Sequence, residues 1–303
     1  MKRNLFFVLC LFFSVAIPLQ GCSQQVVATP PNADSLALVD GQWQVDSLDG
    51  FVLKRLAISD NSYFGSCQYF SLLELPRSSR RRIAFAYDST AELTSVMARQ
   101  HNALAAVNGS FFDMGDGSPV CYLRIDGQEV GINTPSKTDT VNRKFYQYSS
   151  IVLRKGRAGV MVADSNRFWE RSVQDSNMMT TGPLLIFRDS LMVQDTSRSF
   201  VYKRHNRTAM GRRRDGTLIF LVADGRFKGF ADGLSIPELQ ATMRWLGCRD
   251  AVNLDGGGSS TMYVKGMSES GVVNYPSDNG LRDHTGERKV SNIIMIVKEG
   301  AAD

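Results

Sequence analysis

None of the five cysteines forms a CxxC or a pair at metal-site spacing, so thiol exchange and a cysteine-held zinc are excluded as this chain's chemistry. The lysine that would make a P-loop of the glycine-rich segment at 256–258 is missing, and so is the G-x-S-x-G elbow of many serine hydrolases. No internal repeat is present, which sets solenoids aside. Two arginine runs, Arg80-Arg81-Arg82 and Arg212-Arg213-Arg214, are not interleaved with aromatics in any nucleic-acid module. They read as solvated turn residues, and no nucleic-acid partner is expected. What is present is 303 residues with 43% hydrophobic and 21% charged content, enough chain for one large core or two small ones.

The N-terminus is different in kind. Lys2 and Arg3 precede an apolar run, Leu5 to Leu19, that is short for a bilayer span and suited to an export signal. It ends in Leu19-Gln20-Gly21-Cys22, which resembles the bacterial lipobox, so residues 1–21 are expected to be a lipoprotein signal peptide and Cys22 the lipidation site. An ordinary signal peptide cleaved nearby is the alternative. Ser23 in place of Asp accompanies outer-membrane sorting in Gram-negative hosts, so the expected location is the cell envelope, lipid-anchored to a membrane. Residues 22–40 lack aromatics and a clear apolar period and read as a tether, with the folded domain taken as 41–303. Removing Lys2 and Arg3 leaves 33 basic residues against 30 acidic ones, a mature net charge of +3. Cys67, Cys121 and Cys248 then remain, enough for at most one bridge.

Strand-like runs cover Gly50–Ile58, Gln68–Leu75 and Ile83–Tyr87. Ser89 with Glu92 has capping-box spacing and predicts a helix over Ala91–His101, which feeds a strand at Ala103–Val107. Asp126-Gly127 and Asp215-Gly216 predict tight hairpins. Ser235, Pro237 and Glu238 open a second helix that ends at Gly247, and Val290–Val297 is a final strand. Many strands and few helices predict an α+β fold: a single domain with a large, mostly antiparallel sheet or barrel and a few packed helices.

Three strand ends carry the candidate chemistry. Asp255 follows an apolar strand and precedes Gly256, Gly257 and Gly258, whose bare N–H groups suit an anion, with the Ser259, Ser260 and Thr261 hydroxyls next. A flexible hairpin loop is the bland alternative. Asp224 follows Leu221-Val222-Ala223 in the same way; if the late helix crosses between parallel neighbouring strands, both carboxylates emerge at one sheet edge. The third end, Asn108-Gly109-Ser110-Phe111-Phe112-Asp113, adds polar groups and two rings able to stack on a sugar or to pack in the core. Arg207 and Arg288 offer forked donors to phosphate, or surface ion pairs. Scattered Asp and Asn oxygens suit calcium or magnesium, but no cofactor is required by the sequence and no metal ligand set is recognisable.

Taken in order, Ala105–Asp113, Thr181-Gly182-Pro183, Arg207–Gly211, Val222–Arg226, Leu234–Leu239, Asn253–Thr261 and Val290-Ser291-Asn292 resemble the phosphodiester glycosidase family over about residues 80–298. The family carries Gly where this chain has Ser110 and Pro where it has Asn206, differences expected to alter which sugar fits. The resemblance implies hydrolysis of a sugar-1-phosphate diester, N-acetylglucosamine-1-phosphodiester-like, at the glycosidic C–O bond. A phosphomonoester leaves readily without a proton, so one carboxylate plus an anion cradle suffices. Asp255 and Asp224 are the candidate catalytic residues. The implied substrate and phosphate contacts are Asn108, Gly109, Phe112, Asp113, Thr181, Gly182, Arg207, Gly256, Gly257, Gly258, Ser259, Ser260, Arg288 and Asn292. The rival from another class is a noncatalytic surface lipoprotein that binds glycan or phosphate, and a second is serine hydrolysis through Ser259 or Ser260 with His205.

Overall fold

The computed structural model describes residues 32–135, 143–166 and 168–300. The expected export signal at 1–21, Cys22 and tether residues up to 31 lie outside the described residues. Chain order begins with α1 (Ala33–Val39), β1 (Gln44–Ser47), β2 (Val52–Tyr63), β3 (Ser66–Leu75), β4 (Arg81–Leu93), α2 (Thr94–Gln100) and β5 (Ala105–Asn108). It continues through β6 (Leu123–Ile125), β7 (Gln128–Gly131), β8 (Ser149–Arg154), β9 (Arg157–Val162), α3 (Trp169–Ser172), β10 (Asn177–Thr181), β11 (Leu184–Phe187) and β12 (Ser190–Leu191). The last third holds α4 (Ser199–Tyr202), β13 (Arg207–Arg213), β14 (Leu218–Ala223), α5 (Ile236–Trp245), β15 (Cys248–Asn253), a 3-10 turn at Gly257–Ser259, β16 (Met262–Val264) and β17 (Lys289–Lys298).

These strands make three antiparallel sheets: an eight-stranded one in the order β1-β2-β3-β14-β13-β15-β11-β12, a five-stranded one, β7-β6-β10-β8-β9, and a four-stranded one, β16-β5-β17-β4. One apolar core joins all three, with Leu73, Phe220 and Val252 from the first, Ile151 and Met179 from the second, and Val107 and Ile294 from the third. Alternate residues of the same central strands, Leu72, Leu221 and Ala251, face α1 and α5 on the other side. Strands buried on both faces read as continuous apolar runs, which is why Leu218–Ala223 shows no polar alternation. Each such Leu or Phe contributes roughly 1.5–3 kcal/mol by leaving water. The α+β, mostly antiparallel architecture expected from the sequence is what forms.

Three local readings are corrected. Residues 33–39, taken as tether, form α1: Asn32 caps it, accepting from Ser35 N at 2.8 Å, and fully buried Leu38 packs it onto the sheet. The folded part therefore starts at Asn32 rather than Gly41. Ser89 and Glu92 do not cap a helix, because β4 runs on to Leu93, where Lys289 and Val290 of β17 pair with Leu93 and Glu92; ladder pairing outweighs the local capping signal. β14 and β15 run parallel to each other but are not neighbours, since β13 lies antiparallel between them.

The capping box of α5 does form, with Glu238 Oε2 accepting from Ser235 N at 2.8 Å. Asp126 and Gly127 take positive φ between β6 and β7, and Gly216 does so between β13 and β14. Cys67, Cys121 and Cys248 are all free and buried, and burial pushes the Cys121 and Cys248 thiols up to about 12. The arginine runs are engaged in ion pairs, Arg81 with Asp49, Arg212 with Asp250, Arg213 with Glu74 and Arg214 with Asp189. No helix among the described residues is long and apolar enough to cross a membrane.

Candidate active site

Because β14 and β15 both run antiparallel to β13, Asp224 and Asp255 leave their strands at the same edge, flanking Arg207 at the start of β13. Their surroundings differ. Asp224 is fully buried; its Oδ1 accepts from Asn274 Nδ2 and its Oδ2 from Tyr275 N, each at 2.8 Å. Burial raises its pKa to about 7 although both donors oppose the rise. Asp255 stays partly exposed. Among the described residues its one hydrogen bond within distance runs from Gly256 N to Oδ1 at 2.8 Å, which leaves Oδ2 open. Burial again raises the pKa, here to about 6, against the Ser259 hydroxyl, the Gly256 N–H, Arg288 and Arg207.

The glycine-rich segment is a tight 3-10 turn rather than an open cradle. Gly256 N serves Asp255, Gly257 N donates to Asn206 O, Ser259 N to Gly256 O and Ser260 N to Gly257 O. Gly258 N alone among these donors has no acceptor among the described residues. Gly257 needs its left-handed φ of 63°, and a Cβ at Gly258 would collide with Asp278 and the Arg288 guanidinium lying over it. The Ser259, Ser260 and Thr261 hydroxyls are fully buried with no partner at hydrogen-bond distance among the described residues, although Ser259 lies near enough to the Asp255 carboxylate to favour its charged form. No hydrogen bond joins His205 to either serine, which removes the geometric basis for serine hydrolysis among the described residues.

Several residues expected to touch substrate are engaged in holding the frame. Asn108 donates to Asp255 O at 2.8 Å and accepts from Thr208 Oγ1 at 2.7 Å and Thr261 N at 3.2 Å. Asn292 Oδ1 accepts from Ser110 N at 2.7 Å, and Gly109 O accepts from Asp255 N at 3.0 Å. Thr181 Oγ1 donates to Asn253 O, and Gly182 O accepts from Asn253 Nδ2. An amide near a strand end is drawn to unpaired backbone groups before it can serve a ligand.

Arg207 is buried and gives Nε to Leu234 O and Nη2 to Phe200 O and Lys203 O, leaving Nη1 without a partner among the described residues. Burial lowers its pKa to about 10, partly countered by Glu238 and Asp255. Arg288 is held by Asp278 through Nε at 2.9 Å. Phe112 is half-buried and packs against the apolar cluster that includes Met97 and Ala98 of α2, and Asp113 accepts from Gly115 N in an exposed turn. Ser110 is buried and donates to Thr180 O, and the buried Asn206 amide lies beside Ser277, so neither departure from the family pattern reaches open space.

The structure adds residues the sequence did not mark. Arg226 is exposed, has no ion pair or hydrogen bond among the described residues, and rests its guanidinium on Gly257. Burial and the charges of Arg207, Arg226 and Lys203 depress the pKa of His205, and Arg288 and Arg207 place Asp255 in a positive field. Phe111, not Phe112, stacks on Tyr146 at 4.4 Å and meets Phe200 at 6.0 Å, with Arg207 over the Phe200 ring. Arg226 stood next to Asp224-Gly225 and was findable; Asn274, Tyr275 and Tyr146 had no local signal. A cavity of about 690 Å³ lies elsewhere, between β4 and the β6-β7 hairpin. No group of three or more His, Cys, Asp or Glu is placed to hold a metal ion among the described residues.

With this geometry in hand, a sequence model of the phosphodiester glycosidase family matches residues 101–297. The chain is 30% identical over 221 residues to the N-acetylglucosamine-1-phosphodiester alpha-N-acetylglucosaminidase of Mus musculus, covering 69% of this chain and 40% of that protein. The Homo sapiens protein of the same name is 24% identical over 207 residues, covering 66% and 38%. The chain thus spans about two fifths of the length of these curated relatives. Its fold is similar to the zebrafish catalytic domain of that name, solved auto-inhibited by its pro-peptide, with a TM-score of 0.62 at 19% identity over 84% of this chain and 88% of the other.

Proposed function

We propose a function whose premise is membership: the chain belongs to the phosphodiester glycosidase family. The reading it supports is hydrolysis of a sugar-1-phosphate diester of the N-acetylglucosamine type at the glycosidic C–O bond. The observation that carries it is a half-open carboxylate, Asp255, beside a turn overlaid by Arg226 and Arg288 and within the field of Arg207. With a pKa of about 6, Asp255 is ionised at neutral pH. Its open Oδ2 takes a proton from water, or supports the developing oxocarbenium centre, as the anomeric C–O bond breaks. The bonding pair leaves with the phosphate, which stays an anion on Arg226, Arg288 and the Gly258 N–H. Asp224, closed by Asn274 and Tyr275, positions the 274–275 loop instead of touching substrate.

Hydrolysis in ¹⁸O-labelled water tests the reaction directly. The label is expected in the released sugar; label in the phosphomonoester would mean P–O cleavage, and no turnover on any sugar-1-phosphate diester would favour the glycan-binding alternative. The run Leu19-Gln20-Gly21-Cys22 supports export and a lipid anchor on Cys22. In a bacterial host, Cys22→Ser should move the protein from the membrane to the soluble fraction, and an unchanged membrane fraction would remove the anchor.

A further inference from the structure

Resting on the reading above, we propose that Tyr146 is the sugar-contacting residue of the site, its phenol hydrogen-bonding the glycone held against Asp255. The side chain is half-buried, yet its hydroxyl has no hydrogen-bond partner among the described residues and is not among the enclosed polar atoms. A half-buried phenol ordinarily finds a partner, so an open one beside the reacting carboxylate is suited to a ligand.

Its position is fixed from two sides, and both are bonded to the Asp255 strand end. Phe111 stacks on the ring at 4.4 Å and 25° and follows Gly109, whose carbonyl accepts from Asp255 N. Gly182 lies against the Tyr146 backbone, 3.1 Å from the Tyr146 Cα to where a Cβ would sit, and its carbonyl takes the Asn253 amide. Burial and the nearby Asp255 charge push the phenol's pKa up, so it stays protonated and acts as a donor. The phosphate contacts attach elsewhere on the turn, Arg226 at Gly257 and Arg288 at Gly258, while the aromatic wall joins at residues 253–255. That separation assigns the wall, aromatic faces flanked by Lys144 and Arg207 and carrying the one phenol hydroxyl, to a hexose or N-acetylhexosamine ring.

Tyr146→Phe isolates the hydroxyl, because the ring that packs on Phe111 is retained. Calorimetric titration of the full chain with a panel of free hexoses and N-acetylhexosamines, and separately with inorganic phosphate, needs no turnover. The expected result is sugar affinity about tenfold weaker in the variant, with phosphate affinity and melting temperature unchanged. Equal sugar affinity, a loss confined to phosphate, or no sugar bound by the wild type would each overturn the assignment. Sugar bound by the wild type without any turnover would overturn the hydrolase reading and leave the role of Tyr146 standing.

Discussion

Asp224 and Asp255 occupy equivalent places: each ends a central strand of the eight-stranded sheet, each precedes glycine, and they emerge on either side of β13 at one edge. What separates them is the lid. The 274–275 segment closes over Asp224 and takes both its oxygens, whereas the turn after Asp255 curls back on itself and leaves one oxygen open. A shared motif therefore yields one carboxylate closed by two donors and one that keeps an oxygen without a partner among the described residues. The difference lies in a loop that neither local sequence contains.

The largest break in the comparison should come from Asp255→Asn. Removing a positioned base is expected to lower kcat/KM by roughly 10²–10⁴-fold while the melting temperature holds, because only one of its carboxylate oxygens is bonded. Turnover within threefold of wild type would end the proposed role. Asp224→Asn should act the other way round. Its amide nitrogen would face the Asn274 or Tyr275 donor, at a cost of about 1–3 kcal/mol, which corresponds to a fall of roughly 2–12 °C. An unchanged melting curve would show that those bonds do not hold the loop.

Titration sharpens the contrast further. Asp224 has a folded pKa of about 7, above the unfolded value near 3.9, so the folded state binds more protons between those limits. Its contribution to stability is thus full below about pH 4 and is lost as pH rises through about 7. The wild type should lose melting temperature relative to Asp224→Asn over that window, and parallel curves would refute it. Activity should instead show an acidic limb near pH 6 as Asp255 protonates. The smallest effect belongs to Arg226→Ala, expected to weaken competition by inorganic phosphate about three- to tenfold without altering stability, since the side chain is exposed and unpaired among the described residues. Full retention of phosphate inhibition would detach Arg226 from the site.

Much of the fold was legible because its signals are local. Apolar runs buried on both faces, the Ser235–Glu238 box and the Asp126-Gly127 turn depend on neighbours within a few residues. The helix expected over Ala91–His101 forms, but only over Thr94–Gln100, because β17, nearly 200 residues away, extends β4 through Leu93. The site divides in the same manner. That Asp224 and Asp255 share an edge could be argued from strand direction, but the buried anchoring of Arg207 on three carbonyls, the inward turn of Phe112 and the enclosure of Ser259 and Ser260 are set by distant segments. Polar residues around a reactive carboxylate read alike whether they meet the ligand or brace the loop.

Asn108 has a consequence for how this protein can change. Its one amide ties the end of β5, the second residue of β13 and both sides of the glycine turn, so the turn cannot lengthen or shift without breaking bonds in three places. Variation toward new substrates has little room there. It is channelled to the aromatic wall around Phe111, Tyr146 and Phe200, where side chains can be exchanged without disturbing that knot. The Asp255 carboxylate and its turn would then be the inherited part of the site, and the wall the part open to selection.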